Sequence, residues 1–180
     1  MLKKVIALST AAMILLTPMS ASAVSWGEVV NGLKTKGSYT DGKMTATKDG
    51  DTYTFTGGEL EGVSISSYWL DANGKIYFNG VQMDVLSIYA DEGKYYVVLN
   101  KDTKTGSVWM DTGENGEAKL VNEGVIGDES VSAMISGNSH LTNKGTLNMG
   151  EITFEDDNSK EITYSNITAY VWDNVKDGTQ

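Results

Sequence analysis

Six aromatic residues, Tyr68, Trp69, Tyr89, Trp109, Tyr170 and Trp172, lie in or beside segments rich in β-forming residues. Aligned on one face, such rings could stack on sugars: an aromatic face suits the apolar side of a pyranose, and acidic neighbours can bond its hydroxyls. The plainer alternative is that the rings fill a core. Other chemistry is thinly represented. Cys and Arg are both absent from the 180 residues, which removes thiolate ligands, thiol nucleophiles, disulfides and bidentate forks for phosphate. The single histidine, His140, lacks the partners of a zinc site or a catalytic triad. Asp156-Asp157 is the one adjacent Asp pair, and neighbours in a strand point to different sides, so it reads as a solvated turn. Asp49-Gly50-Asp51 and Asp71-Ala72-Asn73-Gly74 resemble fragments of calcium loops, without the glutamate that closes an EF-hand. No metal or cofactor site is expected, and the chain reads as non-catalytic.

The elements that position these residues begin after residue 23. Lys3 and Lys4, the apolar run Val5 to Leu16 and the small-residue site Ala21-Ser22-Ala23 make residues 1–23 a signal peptide. No Cys follows it, which speaks against a lipid anchor, and no later run approaches the ~20 apolar residues of a membrane-spanning helix. The expected mature chain begins at Val24 and is secreted, periplasmic or displayed on a bacterial surface. Without Lys3 and Lys4 it carries 12 lysines against 24 acidic residues, a net charge of −12. Such a surface repels nucleic acid and anionic membrane.

Residues 24–37 read as a capping helix. Ser25 is placed as N-cap with Glu28 three residues on, Val24 and Val29 as a hydrophobic staple, and Gly37 as the C-terminal stop. Trp26, Val29, Val30 and Leu33 share its apolar face. Residues 38–180 read as one β domain. Asn79, Asn100, Asn122, Asn143 and Asn166 recur 21, 22, 21 and 23 residues apart, and Thr56 stands 23 before the first. A period in the low twenties marks a solenoid of stacked coils. Asn carries both an amide donor and a carbonyl acceptor, so a stacked column of it can bond to itself. After each mark a second segment presents a pair of residues on one face: Val63 and Ile65, Leu86 and Ile88, Val108 and Met110, Val131 and Ala133, Ile152 and Phe154. Lys101, Glu123 and Lys144, each following an Asn, alternate in sign.

The expected fold is therefore all-β, a right-handed parallel β-helix of about six rungs at ~4.8 Å spacing behind a short N-terminal capping helix. The alternative is an antiparallel half-barrel, with hairpin turns at Leu70 to Ile76 and Gly113 to Gly116. Leu141-Thr142-Asn143-Lys144-Gly145-Thr146-Leu147 and Leu120-Val121-Asn122-Glu123-Gly124-Val125-Ile126 resemble the rung motif of right-handed parallel β-helix proteins. Among these, the resemblance is to the adhesin-like passenger domains of bacterial autotransporters, within the wider pectin-lyase-like group, over residues 53–172. The membrane barrel of autotransporters has no counterpart here, which points to a stand-alone or shortened relative.

The resemblance implies a surface adhesin-like module that binds a glycan, a cell-wall polymer or a host protein, with self-association through the solenoid ends as a further outcome. It also allows a polysaccharide lyase or hydrolase, although the Arg base of many such lyases is missing. An antiparallel half-barrel would instead suit a periplasmic carrier of an apolar ligand.

Overall fold

The computed structural model describes residues 23–127, 132–155, 161–169 and 172–173. The residues up to Ser22, Val131, Asp156-Asp157, Tyr170 and Asn174 to Gln180 lie outside them. Helix α1 (Trp26–Lys36) forms where the capping signals place it. The Ser25 hydroxyl accepts the Glu28 backbone N–H at 3.2 Å, and Gly37 ends the helix in the left-handed region at φ 72°. Its buried residues are Trp26, Val29, Val30 and Leu33, so the apolar stripe covers the first coil. The helix segment also satisfies strand-edge groups. Val24 N–H donates to the Glu59 carbonyl at 2.9 Å and the Trp26 indole N–H to the Ser64 carbonyl at 2.8 Å.

Three antiparallel strands, β1 (Ser38–Thr40), β2 (Thr45–Asp49) and β3 (Thr52–Thr56), lead into the solenoid. The chain then alternates between two sheets. The first continues from β3 through β5 (Asn73–Asn79), β7 (Lys94–Leu99), β9 (Glu117–Asn122) and β12 (Ser139–Asn143), all paired parallel. The second holds β4 (Glu59–Ile65), β6 (Gln82–Ala90), β8 (Lys104–Thr112), the pair β10 (Val125–Ile126) and β11 (Ser132–Ile135), and β13 (Thr146–Glu155), again parallel. Finally β14 (Glu161–Ala169) folds back antiparallel on β13, and β15 (Trp172–Asp173) antiparallel on β12.

The fold is thus a parallel β-solenoid of about four turns, and the antiparallel half-barrel does not form. The count falls below six in part because the chain reverses after β13, so the segment of Asn166 adds no further parallel coil. The two segments read as hairpin turns instead carry the chain from the second sheet to the first, between β4 and β5 and between β8 and β9.

Side chains that share a phase stack into columns along the axis. In the second sheet the inward pairs align as Val63, Leu86, Val108, Ala133 and Ile152, beside Ile65, Ile88, Met110, Ile135 and Phe154. The fourth pair is therefore Ala133 and Ile135, two residues later than expected, on the expected face. In the first sheet one inward column reads Phe55, Phe78, Leu99, Asn122, Asn143. Trp26 of the helix continues it, with ring centroids 5.2 Å from Phe55, and Phe55 stacks on Phe78 at 5.0 Å.

The asparagines do not form one ladder. Asn79 and Asn100 are half-buried at the corner, and the Asn100 amide donates to the Asn79 side-chain oxygen. Asn122 and Asn143 point inward and are fully buried. Asn122 Nδ2 donates to Asn143 Oδ1 at 2.6 Å and to the Thr146 carbonyl at 3.0 Å, while its own Oδ1 accepts Gly124 N–H at 3.0 Å. The break has a local cause. The connection Thr112 to Glu117 is one residue longer than its predecessor Ala90 to Lys94, so Asn122 stacks on Leu99 and not on Asn100. Asn166 falls in β14, on the other sheet, outside either column. Lys101, Glu123 and Lys144 take part in none of the ion pairs among the described residues.

The stacked turns require glycine for space more than for conformation. A Cβ on Gly116 would lie 1.7 Å from the Ala90 carbonyl oxygen, and one on Gly124 or Gly145 would lie 2.2 Å from the carbonyl oxygen of the coil below.

Replacing Asn122 with Ala should lower stability by about 1–3 kcal/mol in urea unfolding, because the buried Asn143 oxygen and Gly124 N–H lose their partner. Replacing the exposed Asn115 in the turn should have little effect, and equal losses at the two positions would contradict the buried pair. Thr105, inward-facing in the second sheet, has a buried hydroxyl without a hydrogen-bond partner among the described residues. Thr105→Val keeps the shape and should raise stability by about 1 kcal/mol, read as a higher urea midpoint at unchanged slope.

Candidate functional site

Alternation along each strand sends every second residue of the second sheet to its outer face. There the register assembles a grid. One outward column is Ser87, Trp109, Met134 and Thr153. Two residues further along the same strands, Tyr89 stands opposite Asp111, with Ser136 and Glu155 continuing that second column past the paired Ile135 and Phe154. Strand pitch places neighbours in a column about 4.8 Å apart and positions i and i+2 about 7 Å apart. Between them lies a groove of about 530 Å3 whose lining includes Tyr89, Trp109, Asp111, Met134, Ser136 and Glu155. Tyr89 and Trp109 are each 45% exposed, which is unusual for large rings and leaves their faces to solvent.

The polar members are held in place. Asp111 Oδ1 accepts the Ser136 hydroxyl and the Thr112 N–H, both at 2.8 Å. Its Oδ2 has no protein partner among the described residues. Ser136, itself buried, has one hydroxyl proton to share between Asp111 Oδ1 and the Met110 carbonyl, 3.1 Å away. The groove therefore offers two aromatic rings, a thioether, a fixed carboxylate and a second carboxylate two strands away. It suits a ligand with flat apolar faces and polar edges, bound by stacking and hydrogen bonds.

Of the six aromatics singled out by the sequence, the structure brings Tyr89 and Trp109 together. Tyr68 and Trp69 sit elsewhere, in the turn after β4. Their rings meet edge-on at 4.9 Å, Tyr68 is 77% exposed, and Trp69 packs partly on the core beside Gly27. Trp172 belongs to β15, whose backbone lies opposite Asn143 on the first sheet. The described members of the set thus fall into two clusters and a strand of the first sheet, while Tyr170 lies outside the described residues. Asp111, Met134, Ser136 and Glu155 were not singled out from the sequence. The signal was nevertheless there: once Val108 and Met110 point inward, Trp109 and Asp111 must point outward together.

The first sheet has a different outer face. Lys75, Tyr96, Lys119 and His140 stack in register on it. Its lysines are engaged in ion pairs: Lys48 with Asp71 at 2.7 Å, Lys75 with Asp51 at 3.3 Å, and Glu117 with both Lys119 (2.5 Å) and Lys94 (3.1 Å). The calcium-like fragments are accounted for here. Asp49-Gly50-Asp51 is the turn joining β2 to β3, with Asp51 facing Lys75, and Asp71 holds Lys48 while its carbonyl accepts the Tyr95 hydroxyl at 2.9 Å. Among the described residues no group of three or more His, Cys, Asp or Glu is placed to hold a metal. No helix of the described residues is long and apolar enough to cross a membrane.

Fold and surface together define a two-sheet parallel β-solenoid with an aromatic, acidic groove on the outer face of its second sheet. No protein-family model, curated protein or solved structure matches the chain.

The ion pairs set an acid response. Lys119 and then Lys94 beside Glu117 hold its carboxyl down at about 2, against an ordinary 4.5. A depressed carboxylate pKa contributes stability that is fully present above the unfolded value and is lost as pH falls through the folded one. The wild type should therefore lose stability between pH 4.5 and 2 more steeply than Glu117→Gln, as read from urea midpoints at pH 5 and pH 2.5. Identical slopes would show that the pairs contribute nothing.

Proposed function

We propose that this protein is a secreted, non-catalytic, adhesin-like binding module whose outer groove on the second sheet recognises a glycan, free or within a cell-wall polymer. The exposed pair Tyr89 and Trp109 carries this reading. Burying such rings gains stability, and here two of them stand exposed side by side over a groove on a rigid sheet. A sugar ring stacked on them would recover that apolar contact while its hydroxyls meet Asp111 and Glu155. A site built on strands also keeps its geometry better than one on loops.

A hydrolase on the same surface is the second reading, favoured by one observation. Asp111 and Glu155 stand two strands apart, roughly 10 Å by strand pitch, near the upper end of the separation used by inverting glycosidases. Ser136, on the strand between them, donates to Asp111, which ties that carboxylate to the sheet. Binding without turnover fits this arrangement better.

The test is calorimetric titration of the mature protein with soluble β-linked oligosaccharides, accompanied by an assay for new reducing ends. Trp109→Ala is expected to weaken binding by about tenfold or more, which corresponds to about 1.4 kcal/mol. Unchanged affinity in that variant would rule out the groove. Release of reducing ends that Glu155→Gln abolishes would convert the module into an enzyme.

A further inference from the structure

We infer that the groove selects glycans bearing free amino groups, with Asp111 and Glu155 as the residues that recognise the ammonium. The inference rests on the glycan-binding reading above and adds its specificity.

The two outer faces treat charge differently. On the first sheet Asp51, Asp71 and Glu117 each meet a lysine within 4 Å. In the groove neither Asp111 nor Glu155 takes part in an ion pair among the described residues. Asp111 is nevertheless oriented, since both of its bonds fall on Oδ1. A neutral sugar would cover these carboxylates without supplying opposite charge, which costs binding energy. An acidic sugar would meet repulsion from them and from a chain of net charge −10. An amino sugar supplies what is missing. Its ammonium can bond Asp111 Oδ2 or Glu155 while its ring stacks on Trp109 or Tyr89, where the negative faces of the aromatics attract the same cation.

The position of the groove favours a sugar over a basic peptide. A peptide docks on a sheet most readily by adding a strand at an edge, through main-chain hydrogen bonds. Here β6, β8, β11 and β13 are interior strands, with β4 beyond them on one side and β14 on the other. No edge is offered, so only side chains can make the contact, and stacking faces select rings.

The experiment compares oligomers of glucosamine with oligomers of N-acetylglucosamine of equal length, which share a backbone and differ in the charge of the amine. At low salt the free-amine oligomer should bind about tenfold more tightly, and the margin should shrink at 1 M salt, where the screening length is about 3 Å. Asp111→Asn retains the oxygen that accepts from Ser136 and Thr112, so it tests charge without disturbing the fold. With Glu155→Gln added, the two oligomers should bind equally, whereas Trp109→Ala should weaken both alike. Equal affinities in the wild type, or a preference that survives the double substitution, would overturn the inference and leave glycan binding standing. Failure of both oligomers to bind would overturn the inference and the glycan-binding reading together. Oligolysine binding as tightly as oligoglucosamine would show a surface that reads charge and not rings, and would also overturn it.

Discussion

Everything in this molecule depends on one constraint: each coil lies on the next at the spacing that backbone hydrogen bonding sets between strands, about 4.8 Å. Any position in a coil therefore touches its equivalents above and below, and must tolerate them. In the core, apolar columns such as Val63, Leu86, Val108, Ala133 and Ile152 meet the condition by burying similar shapes together. In the turns, Gly116, Gly124 and Gly145 meet it by having no side chain where the neighbouring carbonyl already stands. A buried amide meets it only by bonding its copy, as Asn122 does with Asn143. The column that starts with Trp26 and Phe55 and ends with this pair shows both solutions in one line, aromatic packing giving way to hydrogen bonding.

The same constraint explains why the architecture could be read in the sequence. A period of 21–23 residues leaves its mark on every coil, and the helix face of Trp26, Val29, Val30 and Leu33 follows from local spacing alone. Chain reversal could not be read that way. Asn166 keeps the period, yet β14 runs antiparallel, because strand direction is decided by where the chain turns and not by its composition. The division of the asparagines into a corner pair and a buried pair was hidden for a related reason. It depends on loop length to the single residue, and the spacing of 22 between Asn100 and Asn122 looks regular beside its neighbours although the coil there spans 23.

The candidate surface was legible in part. Trp109 and Tyr89 could be named from residue type, but their union with Asp111, Ser136 and Glu155 required the register between four strands. Residue type also grouped Tyr68, Trp69 and Trp172 with them, and three-dimensional placement separated these. Two faces of one solenoid differ as a result. Ion pairs line the first sheet, whereas the groove of the second presents rings beside Asp111 and Glu155, neither of them in an ion pair among the described residues.

The extra residue in the turn from Thr112 to Glu117 has a consequence beyond the asparagines. Strand side chains alternate, so a single inserted residue exchanges inside for outside along the strand that follows until the register is restored. In a protein built from near-identical coils, loop length thus acts as a parity switch. It can turn a corner amide into a core amide, or a core ring into a binding ring, without altering a residue of the strand itself. New surfaces on this scaffold can arise through such slips of phase, with the hydrogen-bonded frame left untouched.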